Sequence, residues 1–187
     1  MTSRGPNHTD FSWRRIQELI GAPATDSRVR ALFANVGSKL EELWIDDRVG
    51  IYSMPPRDQQ PCPQKEIDLS PSYRVSLGFR HAGLVLGAAA VPPTTFVFNA
   101  VTYHLEHEDG MVPFAAALPA GIRPTDDVDA IIKKVGRQPP TFELEPGDDS
   151  GYMMWDDQNP IVHVLFRERD KRPLRVNVFL APNGDGV

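Results

Sequence analysis

From Asp26 to Gly37 the chain carries apolar residues at Val29, Leu32, Phe33 and Val36, and from Thr125 to Gly136 it carries them at Val128, Ile131, Ile132 and Val135. Spacing of i, i+3, i+4, i+7 places each set on one face of a helix. A polar residue precedes each set and a glycine follows it, as a capped helix requires. The two stretches align over their whole length without a gap, which predicts an internal duplication, and a duplication fixes architecture before any chemistry is considered.

Beyond each helix the apolar period changes from helical spacing to alternation. Tyr73 to Arg80 and Phe96 to Leu105 follow the first helix, and Ile161 to Arg167 and Leu174 to Leu180 follow the second. Val75, Leu77, Phe79 and Arg80 line up with Val162, Val164, Phe166 and Arg167. Each half therefore reads as a helix, a long connection and two strands forming a hairpin. Tight strand-to-strand links cannot support parallel crossovers. The predicted fold is α+β, an antiparallel sheet with helices on one face, built as a single domain from two repeats of about 10–110 and 111–187.

Smaller signals fill in the rest. Asp10 is placed to cap a first helix over Phe11 to Ile20, with Trp13, Ile16, Leu19 and Ile20 available to a core and Gly21 ending it. A short strand is expected over Arg48 to Tyr52, and the proline-rich run from Met54 to Pro71 reads as a surface loop. A Gly/Ala-rich excursion, His81 to Pro93, separates the strands of the first hairpin, and Met111 to Ile122 joins the halves. Past Gln138 the chain is extended through Phe142 and Leu144, and Tyr152 to Trp155 reads as an additional strand. Asp156 to Pro160 and Arg169 to Pro173 read as turns.

At 41% hydrophobic and 24% charged, the 187 residues have an ordinary globular composition. No apolar run approaches the ~18–20 residues that span a bilayer. The N-terminus has no apolar stretch before a small-residue cleavage site, which predicts a cytoplasmic protein with no membrane partner. The single Cys62, between Pro61 and Pro63, fits a reducing compartment.

Charge changes the picture more. Residues 101–160 hold four Lys/Arg against twelve Asp/Glu, whereas residues 1–100 hold eleven against ten. The acids fall in four groups: Glu106/Glu108/Asp109, Asp126/Asp127/Asp129, Glu143/Glu145/Asp148/Asp149 and Asp156/Asp157. That sign argues against nucleic acid and for a basic protein partner. Trp44, Tyr52, Tyr152 and Trp155 lie near acids, and an aromatic beside carboxylates can anchor a basic surface. The expected contact set is Asp126, Asp127, Asp129, Glu143, Glu145, Asp148, Asp149, Tyr152, Trp155, Asp156 and Asp157, with Trp155 its centre.

Catalytic signals are sparse. His104, Glu106 and His107 form the one local cluster of metal-ligating type, but on a strand the two imidazoles would point to opposite faces. There is no phosphate loop, nucleophile elbow, CxxC or HExxH pattern. No catalytic, metal or cofactor residue is assigned, and the rival enzyme reading is a metal-dependent hydrolase using that cluster.

The order Leu118–Pro119–Ala120–Gly121, the helix running to Gly136–Arg137–Gln138–Pro139, then Trp155 and the strand Val162 to Phe166, resembles the C-terminal half of immunity-type proteins encoded beside secreted bacterial toxins. Leu19 to Pro23 followed by Asp26 to Gly37 is similar to their front half. The stretches 54–71 and 82–91 depart from that pattern. The tandem helix-and-hairpin layout is also similar to proteinaceous β-lactamase inhibitors and small envelope assembly factors. The resemblance implies binding, not catalysis: a cytosolic inhibitor of a cognate toxin of the type VI or contact-dependent pathways, with a basic nuclease as the expected toxin and its active site occluded. The alternative is a non-enzymatic adaptor or homodimeric structural protein.

Overall fold

The structure, a computed structural model, describes residues 8–34, 64–82, 85, 96–106, 113–144 and 149–181. Its strands are β1 (Gln64–Asp68), β2 (Val75–His81), β3 (Phe96–His104), β4 (Thr141–Leu144), β5 (Ser150–Trp155), β6 (Ile161–Arg167) and β7 (Pro173–Phe179). They form one antiparallel sheet in the order β1-β2-β3-β7-β6-β5-β4. The helices are α1 (Trp13–Ile16), α2 (Ser27–Ala34), α3 (Ser70–Tyr73) and α4 (Val128–Val135), with 3-10 turns at His8–Phe11 and Pro119–Gly121. The fold is α+β, as the alternation of helical and strand periods predicted.

The two halves share a hydrogen-bond register. In β1·β2 the pairs include Gln64↔Arg80, Ile67↔Leu77 and Asp68↔Ser76, and in β5·β6 they include Ser150↔Arg167, Met153↔Val164 and Met154↔His163. Aligning Val75 with Val162 superposes these two sets pair for pair. In the same alignment Val75↔Tyr103 and Leu77↔Val101 map onto Val162↔Val178 and Val164↔Val176. Each half also carries a β-bulge at the equivalent place, between Gly78 and Phe79 opposite β3 and between Leu165 and Phe166 opposite β7. The halves join through β3·β7, where Thr102 pairs with Asn177. Those two residues are equivalent to each other, so a pseudo-two-fold axis passes between them.

One face of this sheet is covered. Val75, Leu77, Phe79, Val101, Tyr103, Met153, Trp155, Val162, Val164, Phe166, Val176 and Val178 join Val29, Leu32 and Phe33 of α2 and Val128 and Ile131 of α4 in one buried cluster. The Phe33 and Phe79 rings lie 6.1 Å apart between α2 and β2. Burying this apolar surface is the main favourable term in folding. Where β3 runs past the end of β7, residues 21–24 take over as its partner: Gly21 N–H donates to Phe98 O at 2.8 Å and Ala24 N–H to Phe96 O at 2.8 Å.

Two local readings change. The expected helix over Phe11 to Ile20 is broken: Ser12 has an extended ψ of 145°, α1 ends at Ile16, and turns lead to Gly21 at φ 87°. The stretch 64–68, read as loop, is edge strand β1; of its described side chains Ile67 alone reaches the core, too little to show as alternation. Each helix has the polar cap expected of it, though the two capping residues do not align. Asp127 Oδ1 accepts from Ala130 N–H at 2.8 Å, whereas Thr125 is the residue that aligns with Asp26, whose carboxylate accepts from Arg28 N–H at 2.8 Å. Finally, the expected strand Arg48 to Tyr52, together with Cys62 and most of the excursion 82–93, lies outside the described residues.

Candidate functional site

Two surfaces carry candidate chemistry: the outer edge at β4 and the face of the sheet that α2 and α4 leave uncovered, where Ser76, Val97 and Asn99 are nonetheless buried. Strand β4 ends the sheet, so one side of its backbone has no strand partner among the described residues. Phe142 and Leu144, each 46% exposed, are the large exposed hydrophobic side chains of the described chain. They project to the covered side of the sheet but lie beyond the helices, and the Phe142 ring sits 5.4 Å from that of Phe166. Glu143 alternates to the opposite face, opposite Tyr152.

The predicted contact residues divide around this edge. Trp155 is 0% exposed, and its indole N–H donates to Arg137 O at 3.3 Å. That burial corrects its placement as a surface anchor: on β5 it alternates toward the covered face, in register with Val162. Tyr152 is half-buried on the uncovered face, edge-on to His163 at 5.2 Å. Glu143 and Asp156 are exposed along the β4–β5 margin and make no ion pair among the described residues; Asp129 is likewise exposed and without one, but stands on α4. Asp126 is held by Lys134 at 2.6 Å, Asp149 by Arg169 at 3.5 Å and Asp157 by Arg137. The Arg137 guanidinium holds the Asp157 carboxyl below its usual range against a small burial cost. Asp127 is committed to its helix cap. Glu145 and Asp148 lie outside the described residues, as do Trp44, Tyr52 and His107. Several charges of the acidic segment are therefore internally neutralised, and Arg137, just past α4, brings the end of that helix against Trp155 at the end of β5 and Asp157 beyond it.

The uncovered face was not singled out from sequence. A concavity of about 490 Å³ lies on it, lined by residues that include Glu66, Arg80, Asn99, Ala100, His104, His163, Leu165, Arg175, Asn177 and Phe179. Bulges bend the strands that bear them and increase twist, and this sheet has one in each half. The row through the pseudo-axis runs Asp68, Ser76, Thr102, Asn177, His163 and Met154. Ser76 Oγ donates to Asp68 Oδ1 at 3.3 Å and lies 3.1 Å from His104 Nε2, so His104 carries its proton on Nε2 when Ser76 points to Asp68. Asn177 Nδ2 donates to His163 Nδ1 at 2.8 Å, which sets the proton of a neutral His163 on Nε2.

Serine, histidine and aspartate meet here, but in the wrong order for nucleophilic catalysis. The carboxylate contacts the hydroxyl rather than the imidazole, so it does not orient a base. Burial opposes ionisation of Asp68, yet hydrogen bonds from Ser70 and Ser76 and the nearby His104 outweigh it and hold the carboxyl below its usual range. Glu66 is shifted the other way: burial first and the Asp68 charge second push its carboxyl up, partly offset by Arg175. No group of three or more His, Cys, Asp or Glu side chains that could hold a metal ion occurs among the described residues. No helix among them is long and apolar enough to cross a membrane.

Comparison with protein-family models, with curated proteins and with solved structures finds no match to this chain.

Proposed function

We propose that this chain is a non-catalytic binding protein of the immunity type, a cytoplasmic inhibitor that holds a toxin through the β4 edge. The carrying observation is the pairing of an edge strand, without an outer strand partner among the described residues, with two exposed hydrophobic side chains, Phe142 and Leu144, bordered by Glu143 and Asp156. An edge strand offers main-chain hydrogen bonds, and alternate side chains on it supply pockets and specificity. Apolar contact at the centre with carboxylates at the rim suits a partner whose own surface is basic around an apolar groove. A nuclease presents such a surface, because its substrate groove must attract phosphate. Occlusion of that groove requires no chemistry from the inhibitor.

The test is co-expression with the product of the gene that neighbours this chain's own. Co-purification and protection of cells are expected. Phe142→Asp with Leu144→Asp is expected to weaken the complex about a hundredfold or more, as loss of central apolar anchors does, while circular dichroism stays unchanged. A homodimer assembled on β4, with no complex and no protection, overturns the proposal.

A further inference from the structure

The two halves agree on the covered face of the sheet and disagree on the other. Equivalent covered positions remain apolar: Ile67 and Met153, Leu77 and Val164, Phe79 and Phe166, Val101 and Val176. Equivalent uncovered positions differ in size and charge. Gly78 stands where the other half has Leu165, Ala100 where it has Arg175, and Glu66 where it has Tyr152. The first half thus has a floor of two small residues, where a Cβ at Gly78 would come within 3.0 Å of the Ala100 Cβ. Leu165, Arg175 and Phe179 from the second half help to line the same space. The concavity is a product of this asymmetry.

Its charges are mixed. Arg80 and Arg175 line it as cations and Glu66 as an anion. Arg175 is 3.6 Å from Glu106, and its positive charge also acts on Glu66. Asn99, at the bulge, lines the same space; it is 2% exposed, and its Oδ1 is buried without a hydrogen-bond partner. Such an acceptor carries a desolvation cost until an N–H reaches it. Phe179 and Leu165 add an apolar wall.

We infer that this concavity binds a small zwitterion of the amino-acid class. The carboxylate pairs with Arg175, whose planar guanidinium matches it. The ammonium is held by Glu66 and, after a small rotation of the amide, by Asn99 Oδ1, and the side chain rests on Phe179 and Leu165. A simple anion would leave Glu66 repelling it, and a simple amine would face the two arginines. The volume of about 490 Å³ is in the range of small-molecule sites, ~300–1,000 Å³. This site is separate from the β4 edge, and its test does not depend on the toxin.

The full chain is titrated calorimetrically with the standard L-amino acids one at a time, and with the corresponding deaminated acids and decarboxylated amines. At least one amino acid should saturate below ~10 mM, with its acid and amine analogues at least about tenfold weaker, a difference of about 1.4 kcal/mol. Ala100→Met, which fills the floor, should abolish binding, and Arg175→Gln and Glu66→Gln should each weaken it about tenfold. If Ala100→Met does not fold, the other two variants decide. No saturable binding by any amino acid overturns the inference, as does equal binding of the deaminated acid or affinity unchanged in the folded variants.

Discussion

Glu66 and Asp68 lie two residues apart on β1 and face the same side of the sheet, yet their surroundings move their acidities in opposite directions. Asp68 is buried less than it is bonded: Ser70 N–H donates to it at 2.8 Å and Ser76 from the neighbouring strand at 3.3 Å. A carboxyl whose folded pKa is depressed stabilises the fold above its unfolded value, and that contribution disappears as pH falls through the folded value. Glu66 has the reverse sign. Its folded pKa is raised, so stability declines as pH rises from its unfolded value through its folded one, and the cost of the buried charge persists above that. Asp68→Asn is therefore expected to lower the urea midpoint at pH 7 and to flatten the loss of stability on acidification. Glu66→Gln is expected to raise the midpoint at pH 7 and to leave it nearly unchanged at a pH below both values. Urea titrations at neutral and acidic pH distinguish them, and midpoints moving in the same direction at pH 7 would contradict the opposed environments. None of this was legible in the sequence. The run from Gln64 to Asp68 has one core residue, and what decides its chemistry is a serine and a histidine brought alongside by β2 and β3.

At the scale of elements, legibility followed burial. Strands β6 and β7 show alternation because one face is covered along most of their length, β2 and the start of β3 are buried on both faces, and α4 shows helical spacing because Val128 and Ile131 are buried beneath it. Edge strands lack that signal, which is why the sequence of β1 looks like loop and that of β4 like extended chain, with Phe142 and Leu144 left exposed. The same geometry makes β4 an easily detached element. Its contact with β5 depends on Gly151, where an added Cβ would lie 2.7 Å from Phe166 Cζ, 2.8 Å from Glu143 O and 3.0 Å from Leu144 Cδ2. The Glu143 carbonyl belongs to the β4 backbone and cannot turn aside as a side chain can. Gly151→Ala is expected to cost about 1–3 kcal/mol, the usual range for overpacking. The cost should appear as faster amide exchange in residues 141–144, with β2 and β3 protected as before. Uniformly faster exchange across the sheet would show instead that β4 is not a separable element.

For the whole molecule, the central question is whether two copied halves remain two units. Sequence supplied the copy: Val75, Leu77 and Phe79 against Val162, Val164 and Phe166 are readable without a structure. It did not supply the junction, because the pairing of Thr102 with Asn177 depends on sheet order, and neither residue has a partner marked in its own neighbourhood. That junction and the cluster beneath it argue for one cooperative unit. Side chains from α2, β2 and β3 are buried in the same cluster as those from α4, β5, β6 and β7. Neither half can lose its layer without exposing apolar surface of the other, and exposed apolar area costs roughly 25 cal/mol per Å². Two single-tryptophan variants read the halves separately. One keeps Trp13, which packs against the cluster from the N-terminal segment, and the other keeps the buried Trp155; the remaining tryptophans are replaced by Phe. Compared each with its own far-ultraviolet circular dichroism, both fluorescence transitions in urea are expected to coincide with loss of secondary structure, the signature of a single two-state transition. A Trp13 transition at lower urea than the Trp155 transition would show the first half unfolding alone. The copied register would then record a common origin of the halves without making them one domain.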